Sequence, residues 1–447
     1  MARGKKKGSL TPEERLQAAL VPESEQPYPV PWNWCWTRME NIAQWGSGGT
    51  PSRKIPEYYS GDIPWIKTGE LNDDYIFETE EHITEEAISH SSAKLFPVNT
   101  VAIAMYGATI GKVGILGIAA TTNQACACGV SNPSANYKYL FYYARSQKDN
   151  FIKKGKGGAQ PNISQEIIKS HEFPLPPLSE QHRIVDRIES LFAKLDEAKQ
   201  KAQDALDSFE TRKAAILHKA FTGELIGKHS TATTTLEEIT TCIRIGPFGS
   251  ALHKEDYILG GVPVVNPKHI VQQKIVPEEK TTVSVLKAEE LSSYILQKND
   301  IILGRRGDMG RSAPVTDLET GWLCGTGSMI IRLKSGYNAK FYSQIIASQA
   351  AVRYLEENSV GSTMKNLNEK VVRLLPIPDF TVDEQLEIVR ILDNLLAKEQ
   401  QAKEVAEKVL EQIDLIKKAI LARAFRGELG TNDPSEENAK ELLSSEI

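Results

Sequence analysis

The sequence predicts a mixed α/β (α+β) chain. Two globular units are each followed by one long helix, and the two helices pair as an antiparallel coiled coil about a pseudo-two-fold axis. Three observations carry this. First, KAFTGEL ends at Leu225 and RAFRGEL ends at Leu429. Second, from Glu180-Gln181 and Glu384-Gln385 the two copies align without a gap through those leucines, with about 20 of 46 pairs identical. Third, the stretch before each copy carries Gly/Pro/Asn turn signals and short β-rich runs, such as 101–105 and 301–305.

Taken in chain order, residues 1–36 form an arm. Thr11-Pro12-Glu13-Glu14 is a capping box with proline at the first helical position, so a short helix runs to about Leu20. Trp32, Trp34 and Trp36 then alternate as a strand packing one face does, laid over the first globule or against a partner subunit. The first globule spans 37–178 and the second 228–378. Asn99 and Gly107 match Asn299 and Gly307 at an offset of 200, and Asn162 matches Asn366 at 204.

The first helical segment spans 179–227. Its apolar residues Ile184, Ile188, Leu191, Leu195, Ala198, Ala202, Ala205 and Phe209 step by four and three, the heptad spacing. The second spans 379–430, with Ile388, Leu392, Leu395, Ala402, Ala406, Val409 and Ile413; Glu399 interrupts the stripe where the first copy has Leu195. Ile184, Ile188, Leu191, Leu195, Ile388, Leu392, Leu395 and Val409 are the expected helix-pair interface. The preceding prolines mark the helix starts, Ser179 and Asp383 are candidate N-caps, and Gly223 and Gly427 suit the left-handed C-cap. Each helix is roughly 63 Å long at about 1.5 Å per residue. A seam of that length needs a partner, and the other copy is the nearest one.

The tail, 431–447, holds five acidic residues against Lys440 alone, hence −4 of the chain's net −5. It reads as partly disordered, or as a segment returning to the first globule. Without it the body is close to neutral, so basic patches remain open. No run of about 18 uncharged apolar residues occurs, and no apolar signal core follows the basic start, so no membrane association and a cytoplasmic setting are expected. The five cysteines are scattered, and the pair at Cys126 and Cys128 has no second pair at zinc-finger spacing.

Antiparallel helices that each follow a globule place two unlike heads at opposite ends of a rod. Such a gauge suits a target with two different parts and an indifferent gap between them, as DNA offers. At this point the sequence resembles a known family, the specificity (S) subunits of type I restriction–modification systems. The resemblance rests on FPLPPLSEQHRIV, AILHKAFTGEL, LPIPDFTVDEQLEIV and AILARAFRGEL, and on GGTPSRKIPEYYSGDIPWIK (48–67), YGATIGKVGI (106–115) and TTNQA (121–125). It implies that each globule is a target-recognition domain reading half of a split site in double-stranded DNA. It implies that the helices set the spacing and dock two methyltransferase (M) subunits, which use S-adenosylmethionine to methylate adenine. Restriction (R) subunits, driven by ATP and magnesium, would join the full complex. The two-residue insertion before Glu384, the missing PPL there and Glu399 in the seam depart from exact symmetry of the docking surface.

The residues agree that this chain is not itself the catalyst and binds no cofactor. An adenine methyltransferase grips its flipped base with an Asn/Asp-Pro-Pro-aromatic loop; Asn132-Pro133 and Asn266-Pro267 lack the second proline and the aromatic. GATIGK (107–112) has three residues between its glycines rather than four, and Val113 stands where a phosphate loop needs Ser or Thr. A turn offering Lys112 to a DNA phosphate fits better, and a purely structural turn fits as well.

Base edges are read by Arg, Lys, Asn and Gln, and phosphates by Lys, Arg, hydroxyls and backbone N–H. In the first globule this nominates Thr50, Ser52, Arg53 and Lys54 on the Gly-Gly-Thr-Pro loop, then Lys112, and then Lys67, Tyr106, Asn123 and Gln124, for which core or capping roles are the alternative. The glycine-rich run at 153–162 adds Lys153, Lys154, Lys156, Gln160 and Asn162, with a helix cap as the alternative for Asn162. In the second globule it nominates Arg305 and Arg306 after a strand, Arg244, Phe248 and Lys254 around the turn IGPFGS, with a plain β-turn as the alternative there, Lys268 and His269, with a structural role as the alternative for His269, and Lys365 with Asn366. A non-catalytic coiled-coil scaffold with two protein-interaction domains is the rival reading.

Overall fold

The computed structural model describes residues 11–155, 162–228, 232–248, 251–359 and 366–447. Two compact units emerge: unit 1 is Met1–Lys201 with Val409–Ile447, and unit 2 is Ala202–Lys408. No helix among the described residues is long and apolar enough to cross a membrane.

Unit 1 is built on a five-stranded sheet in the order Ala43–Ser47, Cys126–Ser131, Val101–Ala104, Val113–Leu116, Tyr75–Ile76. Only the last pairing is parallel. Val101, Ile103, Val113 and Ile115 turn inward against Tyr139, Leu140 and Tyr143 of the helix Tyr137–Ser146. A three-stranded sheet beside it runs Ile63–Ile66 antiparallel to His82–Ile83 and parallel to Thr121–Thr122.

Unit 2 repeats the plan. Thr240–Ile245, Ser328–Leu333, Asp300–Gly304 and Ser312–Pro314 form an antiparallel sheet. Val262–Val265 pairs parallel with Leu323–Cys324, as Ile63–Ile66 does with Thr121–Thr122. Asn99 and Asn299 both take the left-handed conformation, at φ 68° each. Asparagine tolerates that region better than most residues, which explains the match at an offset of 200.

The long helices differ in continuity. Val382–Ala424 runs unbroken for 43 residues, whereas its counterpart is broken into Leu178–Asp207 and Phe209–Phe221. At the break the Ser208 hydroxyl binds the carbonyls of Asp204 and Ala205, and Arg212 also donates to Ala205 O at 3.2 Å. Side chains there compete with the helical ladder for its acceptors.

Within each unit the helical segments run antiparallel. In unit 1, Arg183 binds Thr431 O and Asp196 binds Lys417, so one partner number falls as the other rises. In unit 2, Phe209 lies 4.8 Å from the Lys403 ammonium and Arg212 binds Glu399 at 2.8 Å. Glu399 thus interrupts the apolar stripe because a cation faces it. Of the nominated interface residues, Ile184, Ile188, Ile388 and Leu392 are fully buried, and Leu191, Leu195, Leu395 and Val409 are half-buried. Val185, Phe192 and Val389 join the buried set, while Ala198 and Ala402 face solvent.

The recurring Glu-Gln pair has a structural cause. Gln181 is completely buried; its Oε1 accepts from Asn136 N at 2.8 Å, and its Nε2 donates to Ser134 O and Pro176 O. Gln385, equally buried, accepts from Asn338 N at 2.9 Å and donates to Phe380 O at 2.7 Å. Asn136 and Asn338 are the N-caps of Tyr137–Ser146 and Ala339–Ile346. Each glutamine therefore fastens a long helix to its own globule.

Several local expectations change. The first long helix starts at Leu178, and the Ser179 hydroxyl binds Glu436 instead of capping it. The second is capped by Thr381, which forms a capping box with Glu384, rather than by Asp383. Gly223 and Gly427 do adopt left-handed φ, at 82° and 73°. Trp34 and Trp36 are buried but Trp32 is 64% exposed, so the three do not share one packed face. The arm strand Cys35–Arg38 pairs with Glu172–Leu175. The tail is ordered and returns to the first globule. Its helix Ala439–Ser444 buries Leu443, Ala439 N bonds Asn33 O, and Glu436 takes both terminal nitrogens of Arg183 at 2.8 and 2.9 Å. Buried Glu180 accepts from Trp34 of the arm and Asn432 of the tail, and burial lifts its carboxyl above the ordinary range.

Candidate nucleic-acid interface

In unit 1 the nominated loops meet. Gly49 N bonds Thr122 O at 2.8 Å, and a Cβ on Gly48 would lie 2.1 Å from that same oxygen. The two glycines let 48–50 press against 121–124, where the Thr50 hydroxyl reaches the Gln124 amide. Arg53 lies 4.0 Å over the Tyr59 ring and 5.0 Å from that of Trp65, and its guanidinium binds Glu81 at 2.6 Å. That bond holds the guanidinium above its ordinary pKa. Glu81 also takes Lys67, which is shared with Glu80, at 3.0 Å each. Arg53 and Lys67 thus stand at the surface with their charge largely matched, while Lys54 is exposed with no ion pair among the described residues. Ser52 turns its hydroxyl to Lys54 N.

Two nominations in unit 1 find partners within it. Asn123 caps its own turn, the alternative role its sequence position allowed, accepting from Ala125 N and the Cys126 thiol. Lys154 is exposed but bonds His171 at 3.0 Å and lies 3.6 Å from Glu172. Lys153 and Gln124 are exposed, and Lys112 is half-buried behind a left-handed Gly111. Lys156, Gln160 and Lys365 lie outside the described residues.

The most informative feature occurs once in each unit. Tyr106 pairs with Asn162 in an isolated bridge, and Arg306 pairs with Asn366 in another. In unit 1, Ile163 N bonds Met105 O at 2.9 Å; in unit 2, Leu367 N bonds Arg305 O at 3.1 Å. Gly107 and Gly307 both follow with positive φ. The frame is the same, but the displayed side chain is an aromatic ring in one unit and a guanidinium in the other.

Around that frame in unit 2, Arg305 Nε donates to Leu367 O at 3.1 Å and Arg306 Nε to Asn366 Oδ1 at 2.9 Å. Lys268 binds Glu278. Arg244 donates to Ser293 O and lies 5.8 Å from the Tyr294 ring, and Phe248 and Lys254 are exposed. His269 takes the structural role that was the alternative to a groove contact: only 2% exposed, it accepts from Asn266 N through Nδ1, and burial lowers its pKa. It braces the turn from inside.

Gln272 and Gln273, not singled out from the sequence, form the tip of the hairpin Ile270–Val271/Lys274–Ile275, with φ of 48° and 59°. Positive φ at both central residues is the two-residue turn that hairpins favour, although glutamine adopts it less readily than asparagine or glycine. The tip lines one cavity with Lys268 and Arg311. Two polar residues between short apolar runs were the available signal. The thiols of Cys35, Cys126, Cys128 and Cys324 are buried and that of Cys242 is half-buried, with Cys128 pushed up to about 12 by burial.

Two mixed α/β units, each carrying loops of cationic and amide side chains on a repeated frame and each fastened to a long helix, define a two-headed recognition protein. A family model for the type I restriction modification DNA specificity domain matches residues 31–206 and again residues 244–411, and the chain belongs to that family. It is 22% identical over 425 residues to the Type I restriction enzyme StySPI specificity subunit of Salmonella potsdam, covering 90% of each chain. It is 32% identical over 157 residues to the EcoR124I/EcoR124II specificity subunit of Escherichia coli, an alignment spanning 34% of this chain and 39% of that relative. Among solved structures, the HsdS subunit from Thermoanaerobacter tengcongensis superposes with a TM-score of 0.65 at 18% identity, covering 91% of this chain and all of that one.

Proposed function

We propose that this chain is the non-catalytic reader of a type I restriction–modification complex, active in the cytoplasm. Unit 1 reads one half of a bipartite, asymmetric site in double-stranded DNA and unit 2 reads the other, while the paired helices set the gap. Two M subunits dock on the helical region and bring S-adenosylmethionine; R subunits with ATP and magnesium complete the complex. The observation that carries this reading is the frame built twice, Tyr106–Asn162 and Arg306–Asn366, with unlike side chains displayed on it. The rival, a scaffold with two protein-interaction domains, is separated from this reading by salt-sensitive binding to a split DNA sequence.

The glutamine latches support it further. Gln181 and Gln385 remove play between each globule and its helix, as a gauge requires. Mapping methylated adenines in cells with and without this gene tests the reading. The expected result is a two-block motif with a fixed unspecified gap, lost on deletion. A methylome unchanged by deletion, with salt-insensitive binding to a protein partner instead, overturns it.

A further inference from the structure

The two arginines of unit 2 stand apart from most others in that unit. Arg212, Arg311, Arg332, Arg373 and Arg390 each pair with a carboxylate. Arg305 and Arg306 have no such pair among the described residues; their bonds are to neutral oxygens, Leu367 O and Asn366 Oδ1. The two adjacent guanidiniums repel one another, and Glu369 offsets this at Arg305 only from beyond ion-pair distance, so an electronegative ligand is favoured there.

Their placement is rigid. Arg305 N bonds Gly327 O at 2.9 Å and Arg305 O accepts from Leu367 N at 3.1 Å, clamping the backbone from both sides. Beyond the turn, Gly310 has φ 80°, and a Cβ there would lie 2.6 Å from Ile346 O. That side of the loop cannot shift easily.

Arg306 is exposed, and its bond to Asn366 uses Nε. The two terminal nitrogens are thereby left as a forward edge of fixed direction. A contact that only neutralises a phosphate needs no such aim, and a flexible lysine serves it as well. A planar fork of fixed direction matches the O6 and N7 acceptors of guanine, which arginine reads bidentately in the major groove.

We propose that Arg306 is a specificity-determining residue that reads a guanine in the half-site of unit 2, and that Arg305 beside it neutralises the adjoining backbone. Asn366 is a positioning residue, acting through the Arg306 guanidinium. In unit 1 the equivalent position is Tyr106, which presents a ring and one hydroxyl, so its half-site has no guanine specified from this position. The inference rests on the reading of unit 2 as a DNA-reading domain.

The test uses the complex purified from its own cells through the tagged full chain. It is incubated with a pool of duplexes carrying 30 randomised base pairs, and the bound fraction is sequenced. Wild type is expected to enrich two blocks, one containing a guanine that depends on Arg306. Arg306→Lys keeps the charge but loses the fork, and should reduce the preference for that guanine about ten- to a hundredfold. Every position of the other block should be unchanged, which also verifies that the variant is folded. Arg306→Ala should do the same with lower affinity.

If Arg306→Lys leaves both blocks intact, or only weakens binding uniformly across sequences, Arg306 is a backbone contact and the proposal is overturned. If wild type enriches no sequence at all, the DNA-reading assignment fails before this one is reached.

Discussion

Replacing Gln181 by methionine keeps the length of the side chain and removes its amide. Three hydrogen bonds disappear, to Asn136 N at 2.8 Å, Ser134 O at 2.9 Å and Pro176 O at 3.0 Å. All three partners lie beside a completely buried side chain, so water does not readily replace it. Leaving one buried donor and two acceptors unsatisfied costs about 3–5 kcal/mol. For a unit of this size each kcal/mol moves the midpoint by about 2–4 °C, so the unit 1 transition should drop by about 6–20 °C. Scanning calorimetry of the full chain should show two transitions, only one of them displaced. Gln385→Met should displace the other, by less. It loses two short bonds, to Asn338 N and Phe380 O, and a long one to the Tyr342 hydroxyl at 3.4 Å. If either substitution lowers both transitions equally, or neither, the glutamines are not separate latches and the account of the Glu-Gln pair is wrong.

Three further outcomes follow from the packing. Arg212→Ile with Glu399→Leu installs in unit 2 the residue types found at Ile416 and Leu195. The ion pair is partly solvated, so the double variant should be neutral to about 1 kcal/mol more stable, read by denaturant midpoint; Glu399→Leu alone should be worse than the pair. Burial, with Lys154 close by, lowers the pKa of His171 to about 4, against about 6.5 in the unfolded chain. The unfolded state therefore takes the proton first, and stability is lost as pH falls from about 6.5 through 4. His171→Gln should flatten that part of the unit 1 pH profile, and an unchanged slope would contradict the assignment. Truncation after Gly430 removes Asn432 from Glu180, Glu436 from Arg183 and the buried Leu443. It should expose the Trp32–Trp36 arm to limited proteolysis and leave unit 2 protected.

The plan was legible because it is written twice. The helical repeat keeps its residues where both copies meet equivalent neighbours, and the left-handed glycines at 223 and 427 follow from it. The Glu-Gln pair was visible as a repeat, but its purpose was not: the partners of Gln181 lie as far as 47 residues away, at Ser134. Glu399 looked like a flaw because a periodicity scan sees one helix at a time and cannot place Arg212 opposite it. Composition left the tail between a partly disordered segment and one returning to the first globule, and the return is what the structure has. The tail's acids are not merely solvated, since Glu436 has Arg183 to bind and Leu443 has a core to enter. Among the site residues, chemistry alone could not separate the exposed Arg306 from the buried His269 or the internally paired Lys154. Burial and partners decide that, and neither is a property of residue type.

The central claim is that helix length sets the distance between the two sequence blocks. Inserting one heptad into each helix, at matched positions, lengthens the pair by about 10 Å and keeps the seam in register. At about 3.4 Å per base pair that distance is about three base pairs. Adenine methylation mapping in cells carrying the lengthened chain should return the same two blocks separated by a gap about three base pairs longer. The same blocks at the original gap would contradict the account.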